Sequence, residues 1–162
     1  MKRLIVLALL AGPAQAEPLT GPFGPHGEKH PIVEPFATPA AGITELRQRS
    51  MAALSGHFRA SSATVFAGAG GDAMLPTHAD AMAALAAQMD ALFAIPSPAP
   101  DGAKGALPAI WDDPARFAEY TAGFAAQTRV FAQAVRDGGD TEAALQDVRY
   151  MCLACHAAYR QR

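Results

Sequence analysis

The sequence predicts an all-α protein built as a four-helix bundle, and three observations carry that prediction. Four segments of about 20 residues place apolar residues at helical spacing. Strand signals are nearly absent, since alanine is abundant, β-branched residues are sparse and no alternating run of useful length occurs. The links between segments are mostly short, which makes neighbours in sequence neighbours in the bundle.

The elements follow in order. Residues 1–16 have a basic start (Lys2, Arg3), an apolar run from Leu4 to Ala11 and a small-residue end at Ala14-Gln15-Ala16, the layout of a cleaved secretory signal. That run is well short of the ~20 residues a membrane span needs, and nothing later is long enough, so the mature protein is expected to be exported, periplasmic and without a membrane span. Residues 17–42 form a proline-rich arm: Pro18, Pro22, Pro25, Pro31, Pro35 and Pro39 recur with glycines at 21, 24 and 27, against both helix and sheet. His26 and His30 would share a helical face, but the prolines contradict a helix there. Residues 43–162 form the bundle domain.

Ile43, Leu46, Ser50, Leu54 and Phe58 mark the first helix, from about Ile43 to Ala67, and the glycines at 68 to 71 end it. Thr77 followed by Asp80 resembles a capping box, and Met82, Leu85, Met89, Leu92 and Phe93 stripe a second helix that Pro96 stops. A proline- and glycine-rich connection from Pro96 to Asp113 contains the only tryptophan, Trp111. Pro114 suits the first turn of a third helix, which carries Phe117, Tyr120, Phe124, Val130 or Phe131 and Val135 inward and ends at Gly138-Gly139. Asp140 is a candidate N-cap for the fourth helix, striped by Leu145, Val148, Cys152, Cys155 and Tyr159.

Charge narrows the partners. The chain has 13 basic and 15 acidic residues; without Lys2 and Arg3 the mature balance is 11 against 15, a formal charge of −4. Nucleic acid and anionic membrane surfaces both select for a basic excess, so neither is expected.

Both cysteines of the chain fall in Cys152-Leu153-Ala154-Cys155-His156, near the C-terminus. A C-x-x-C-H box reads as covalent haem attachment, with two thioethers to the porphyrin and the adjacent imidazole on the iron. On a helix, Cys152 and Cys155 share a face and His156 lies one turn beyond Cys152, so one element supplies all three anchors. A thioredoxin-like redox pair would need a βαβ setting, and structural zinc would need ligands beyond the two cysteines. Neither context is present. The expected cofactor is therefore one covalent haem c, enclosed between facing helices as bundles allow.

Three blocks then resemble a known family, the class II c-type cytochromes or cytochrome c-prime family. They are Leu46-Arg47-Gln48-Arg49-Ser50-Met51 running to His57-Phe58; Pro108-Ala109-Ile110-Trp111-Asp112-Asp113 with Phe117; and Cys152 to His156 with Tyr159-Arg160. The resemblance spans nearly all of the chain from Ile43 to Arg160. It implies an antiparallel four-helix bundle around the haem, with His156 as proximal iron ligand. It also implies a homodimer, since many relatives pair through their first helices.

The sixth iron position decides the function. In c-prime members proper the first helix sets a non-ligating residue, often leucine or an aromatic, over the distal face, and the five-coordinate iron binds nitric oxide or carbon monoxide. A low-spin branch puts methionine there. Aligning the Arg-Gln and His-Phe pairs places Met51 at that position, which points to the low-spin branch. His/Met ligation favours electron transfer and raises the reduction potential. The main expectation is thus a periplasmic monohaem carrier, not an enzyme, that passes single electrons between redox partner proteins; the alternative is a gas-binding c-prime.

Core packing alone also explains an inward methionine, and Met82 and Met89 compete with Met51. His57, six residues beyond Met51, points away from it around the helix and is read as structural. Arg47 and Arg160 lie one turn from Met51 and His156 respectively, within reach of a haem propionate, and the resemblance favours Arg47. Trp111 is expected against the bundle or the haem edge.

Overall fold

A computed structural model describes residues 36–161. The expected signal segment and most of the proline-rich arm, with His26 and His30, lie outside the described residues. The chain forms helices α1 (Pro39–Ala67), α2 (Leu75–Ala86), α3 (Met89–Phe93), α4 (Ala109–Asp112), α5 (Pro114–Asp137) and α6 (Thr141–Tyr159), with short strands β1 (Gly105–Ala106) and β2 (Arg160–Gln161). Four rods make the antiparallel bundle: α1, the α2–α3 pair, α5 and α6. Each packs along its neighbours, α1 on α2, α2 on α5, α5 on α6, and α6 back on α1.

Helix ends follow their residues. Thr38 accepts a hydrogen bond from Ala41 N–H at 3.1 Å, so α1 starts at Pro39, four residues before the expected Ile43. Pro39, Pro76 and Pro114 each sit in a first turn, where a missing N–H costs nothing and φ is already helical. Asp113 and Asp140 cap α5 and α6 by accepting from Arg116 and Ala143 N–H at 3.1 and 2.9 Å. Gly68 and Gly138 close α1 and α5 in the left-handed conformation (φ 64° and 69°) that only glycine adopts readily.

Three expectations need correction. The Thr77/Asp80 capping box does not form, because Pro76 lets α2 begin at Leu75 and leaves Thr77 inside the first turn, with no side-chain cap. The second helix is interrupted, not continuous: Gln88 N–H bonds to the Leu85 carbonyl at 3.1 Å, a tightened turn that separates α2 from α3. Of the alternatives Val130 and Phe131, Phe131 is the buried one and Val130 faces out.

The core has two parts. The larger joins Leu54, Leu75, Ala79, Met82, Met89, Leu92, Phe131, Leu145 and Val148, with Met51, Phe124 and Cys152 packed against it. Phe131, Leu145 and Val148 are essentially sealed from solvent, each contributing about 2 kcal/mol of burial. The smaller, Ile110, Phe117 and Tyr159, is walled by Trp111, Tyr120, Ala106 and Cys155. Phe93 packs against both and is the junction between them.

The long connection is not loose. Its β1 pairs antiparallel with β2 (Gly105 with Gln161, Ala106 with Arg160), and Leu107 N–H donates to the Tyr159 carbonyl at 3.0 Å. These bonds tie the end of α6 to the loop that carries Trp111. Among the described residues, no helix is long and apolar enough to cross a membrane.

Candidate functional site

Helix α6 sets the site because its helical spacing turns two thiols onto the core and places an imidazole beside them. Cys152 lies against the larger core cluster and Cys155 against the smaller, so the two thiols straddle the junction at Phe93. Both are free thiols, half-buried. Burial pushes the Cys152 thiol up, opposed by a backbone hydrogen bond. Cys155 is pushed up to about 11, by burial first and by neighbouring Cys152 second. At neutral pH both are protonated and apolar in character, at home in a hydrophobic wall. His156 is half-buried one turn from Cys152, and its carbonyl accepts from Arg160 N–H at the helix end.

Helix α1 faces them with Arg47 and Met51. Arg47 is a buried cation, 5% exposed, with an environment built for it. Its guanidinium donates to the Ser97 carbonyl at 2.9 Å, to Ser97 Oγ at 3.0 Å, to Thr44 Oγ1 at 3.3 Å and to the Leu92 carbonyl at 3.4 Å. It also lies over the Phe93 ring at 4.9 Å and the Trp111 ring at 5.6 Å from the centroids. Desolvation lowers its pKa. Every acceptor it meets is neutral, so among the described residues the positive charge has no anion, which suits a carboxylate-bearing ligand such as a haem propionate. Met51, one turn on, is half-buried beside Leu54, Phe58, Phe124 and Cys152 in one apolar cluster.

Aromatic side chains complete the wall. Trp111 donates Nε1–H to the Phe93 carbonyl at 2.9 Å. Phe117 meets Phe93 and Tyr159 edge to face at 4.8 and 5.1 Å, and Tyr120 meets Tyr159 at 5.3 Å. Tyr159 has its pKa raised, chiefly by burial and against the pull of Arg116. An open groove of about 570 Å³ runs beside the box, between the first turns of α5 (Asp113, Ala115, Arg116, Glu119, Tyr120) and Met151 of α6. This donor set fits a haem: two thiols and an imidazole from one helix, apolar and aromatic walls, and a guanidinium that meets no anion among the described residues.

The structure sets Arg47 and Trp111 against Phe93, and packs Met51 and Cys152 on the larger core cluster and Cys155 on the smaller, both of which Phe93 joins. It separates Arg160 from them, exposed and paired in β2. His57 is engaged elsewhere, its Nδ1 2.9 Å from Nδ1 of His78 on α2. Ser97 and Phe93 were not among the site residues expected from sequence. For Ser97 a signal was present in Pro96-Ser97-Pro98, where the following proline holds Ser97 extended and leaves its carbonyl free to accept.

No curated protein matches the chain. The family model described as Cytochrome C' matches residues 43–160. Among solved structures, the chain is similar to cytochrome c prime from Alcaligenes xylosoxidans. A ferrous arginine-to-lysine variant with bound nitric oxide superposes with a TM-score of 0.68 at 27% identity, over 79% of this chain and 99% of that one. The nitric oxide complex of a leucine-to-isoleucine variant gives 0.69 at 27%, over 79% and 100%. A further cytochrome c' gives 0.67 at 27%, over 78% and 100%. With the box, the bundle and the family match in agreement, this chain belongs to the cytochrome c-prime family and binds that family's covalent haem c.

Proposed function

We propose that this is an exported monohaem cytochrome whose iron is held on one side by His156 and takes up nitric oxide or carbon monoxide on the other. The observation that carries this reading is the likeness, over 79% of the chain, to a cytochrome c prime with nitric oxide bound. When bound, haem would supply an iron centre able to take a diatomic ligand. Cys152 and Cys155 anchor the porphyrin covalently, His156 is the proximal ligand, and Arg47 orients a propionate while Phe93 and Trp111 hold the guanidinium. Met51 takes the place the family gives to a non-ligating apolar residue and excludes water from the distal side. No catalytic residue is assigned.

A second reading keeps Met51 as sixth ligand and makes the protein an electron carrier serving redox partner proteins. Its support is that Met51 and Cys152 of the box pack on the same core cluster. Titrating the ferrous protein with nitric oxide tests the two. One equivalent per chain with a shifted Soret band, in both wild type and Met51→Leu, is expected; a wild-type spectrum that does not respond contradicts the proposal. Met51→Leu should leave the resting spectrum unchanged, whereas loss of a sharp low-spin spectrum in that variant would favour the carrier.

Periplasmic export by residues 1–16 belongs to the same proposal, tested by whether the mature chain begins at Glu17. A homodimer through α1 is proposed as well, in keeping with exposed Leu46 and Phe66 on that helix.

A further inference from the structure

Away from the haem helix, α1 and α2 bring together the other two histidines of the bundle. His57 and His78 meet Nδ1 to Nδ1 at 2.9 Å, with ring centroids 5.2 Å apart and planes tilted by 51°. Both rings are half-buried, so solvent reaches the pair. One turn beyond His57 on the same face of α1, Ser61 is fully buried, and its hydroxyl is the side-chain polar atom buried without a hydrogen-bond partner among the described residues. Two imidazole nitrogens thus face each other at hydrogen-bond distance, with an oxygen that lacks a partner among the described residues about one helical turn away.

From this geometry we propose a second metal site, separate from the haem, in which His57 and His78 bind one borderline transition-metal ion, Cu(II) in preference to Zn(II), through their Nδ1 atoms. Metal to imidazole bonds of about 2.0 Å place two cis nitrogens of a square-planar ion ~2.8 Å apart, and those of a tetrahedral ion ~3.3 Å apart. The observed 2.9 Å is that of the ring-to-ring hydrogen bond and leaves the two nitrogens close enough for either geometry; the preference for Cu(II) follows from its higher intrinsic affinity for imidazole. Without an ion, the contact is a hydrogen bond in which one ring donates Nδ1–H and the other accepts. On binding, the donor ring changes tautomer, its Nδ1 proton leaving while Nε2 takes one up from solvent, so both rings ligate as neutral imidazoles with no net proton released, and water completes the coordination on the exposed side. No further histidine, cysteine or carboxylate joins the pair among the described residues, which makes this an open site that exchanges its ion, unlike a closed structural zinc centre.

The test uses the ferric haem-loaded full chain titrated with Cu(II), read by isothermal calorimetry and by electron paramagnetic resonance of the copper signal. One equivalent per chain with coupling to two nitrogens is expected. His57→Ala and His78→Ala should each weaken binding by about tenfold or more, with the Soret band unchanged. A His26→Ala/His30→Ala double variant should keep it, since those residues lie in the arm. Where an alanine variant fails to fold, the nitrogen coupling in the wild type decides. Absence of stoichiometric binding, or binding that both alanine variants leave unchanged, overturns the proposal.

Discussion

Arg47 concentrates much of the site's physics in one side chain. A buried guanidinium is tolerated because Ser97, Thr44 and the Leu92 carbonyl satisfy its donors and two aromatic faces cover it. Arg47→Ala should destabilise the protein by about 2 kcal/mol in urea denaturation, because the acceptors are left unpaired and a cavity opens beside Trp111. Arg47→Lys should rescue little, since a point ammonium cannot fork between Ser97 O and Oγ or stack on the rings. The cysteines carry a pH signature of their own. In the haem-free chain, the neutral thiol of Cys155 is favoured in the folded state, which contributes stability below pH ~9 that is lost as pH rises through about 11. Alkylation of that chain should accordingly be slow at neutral pH and rise steeply toward pH 11; rapid modification at pH 7 contradicts the buried wall.

The residues with chemistry in their spacing were legible without the fold. Cys152, Cys155 and His156 are proposed from the box alone, whereas Met51 and Arg47 are proposed from the family resemblance of the first-helix block. Ser97 and the His57–His78 contact were not, because each depends on two segments meeting across the bundle, and helical periodicity fixes a face without naming its partner.

At the scale of elements, caps and turns decide where rods begin. Thr38→Ala and Asp140→Ala should each cost about 1 kcal/mol, measured as a lowered urea midpoint at constant slope. Gly105 tests the tie between loop and haem helix. A Cβ there would come within 2.7 Å of the Ala99 Cβ, an atom that cannot swing away, so Gly105→Ala should destabilise by about 1 to 3 kcal/mol. Gly123→Ala is a useful contrast. Its Cβ would meet Met151 Cε at 2.8 Å, the far end of a flexible side chain, and the gain in helix propensity offsets the shift. Element type and order were readable from periodicity. The boundaries that sequence misplaced, Pro39 for Ile43 and Leu75 for Thr77, share one cause: proline in the first turn extends a helix to residues that look like linker.

For the whole molecule, a bundle whose last helix is clamped at its end by the pairing of β1 with β2 is a stable frame. If His156 holds the iron as proposed, the side chain that this frame sets opposite it would decide the coordination number. Fold and cofactor were legible from the chain alone because one box and four stripes agree. The job was not, since a methionine thioether that packs and one that ligates differ by a small displacement that no pattern of residue types records. Resonance Raman spectroscopy of the ferrous, ligand-free protein measures that difference most directly. Five-coordinate high-spin iron bound only by histidine is the predicted result, and six-coordinate low-spin iron with a methionine sulfur ligand would contradict it.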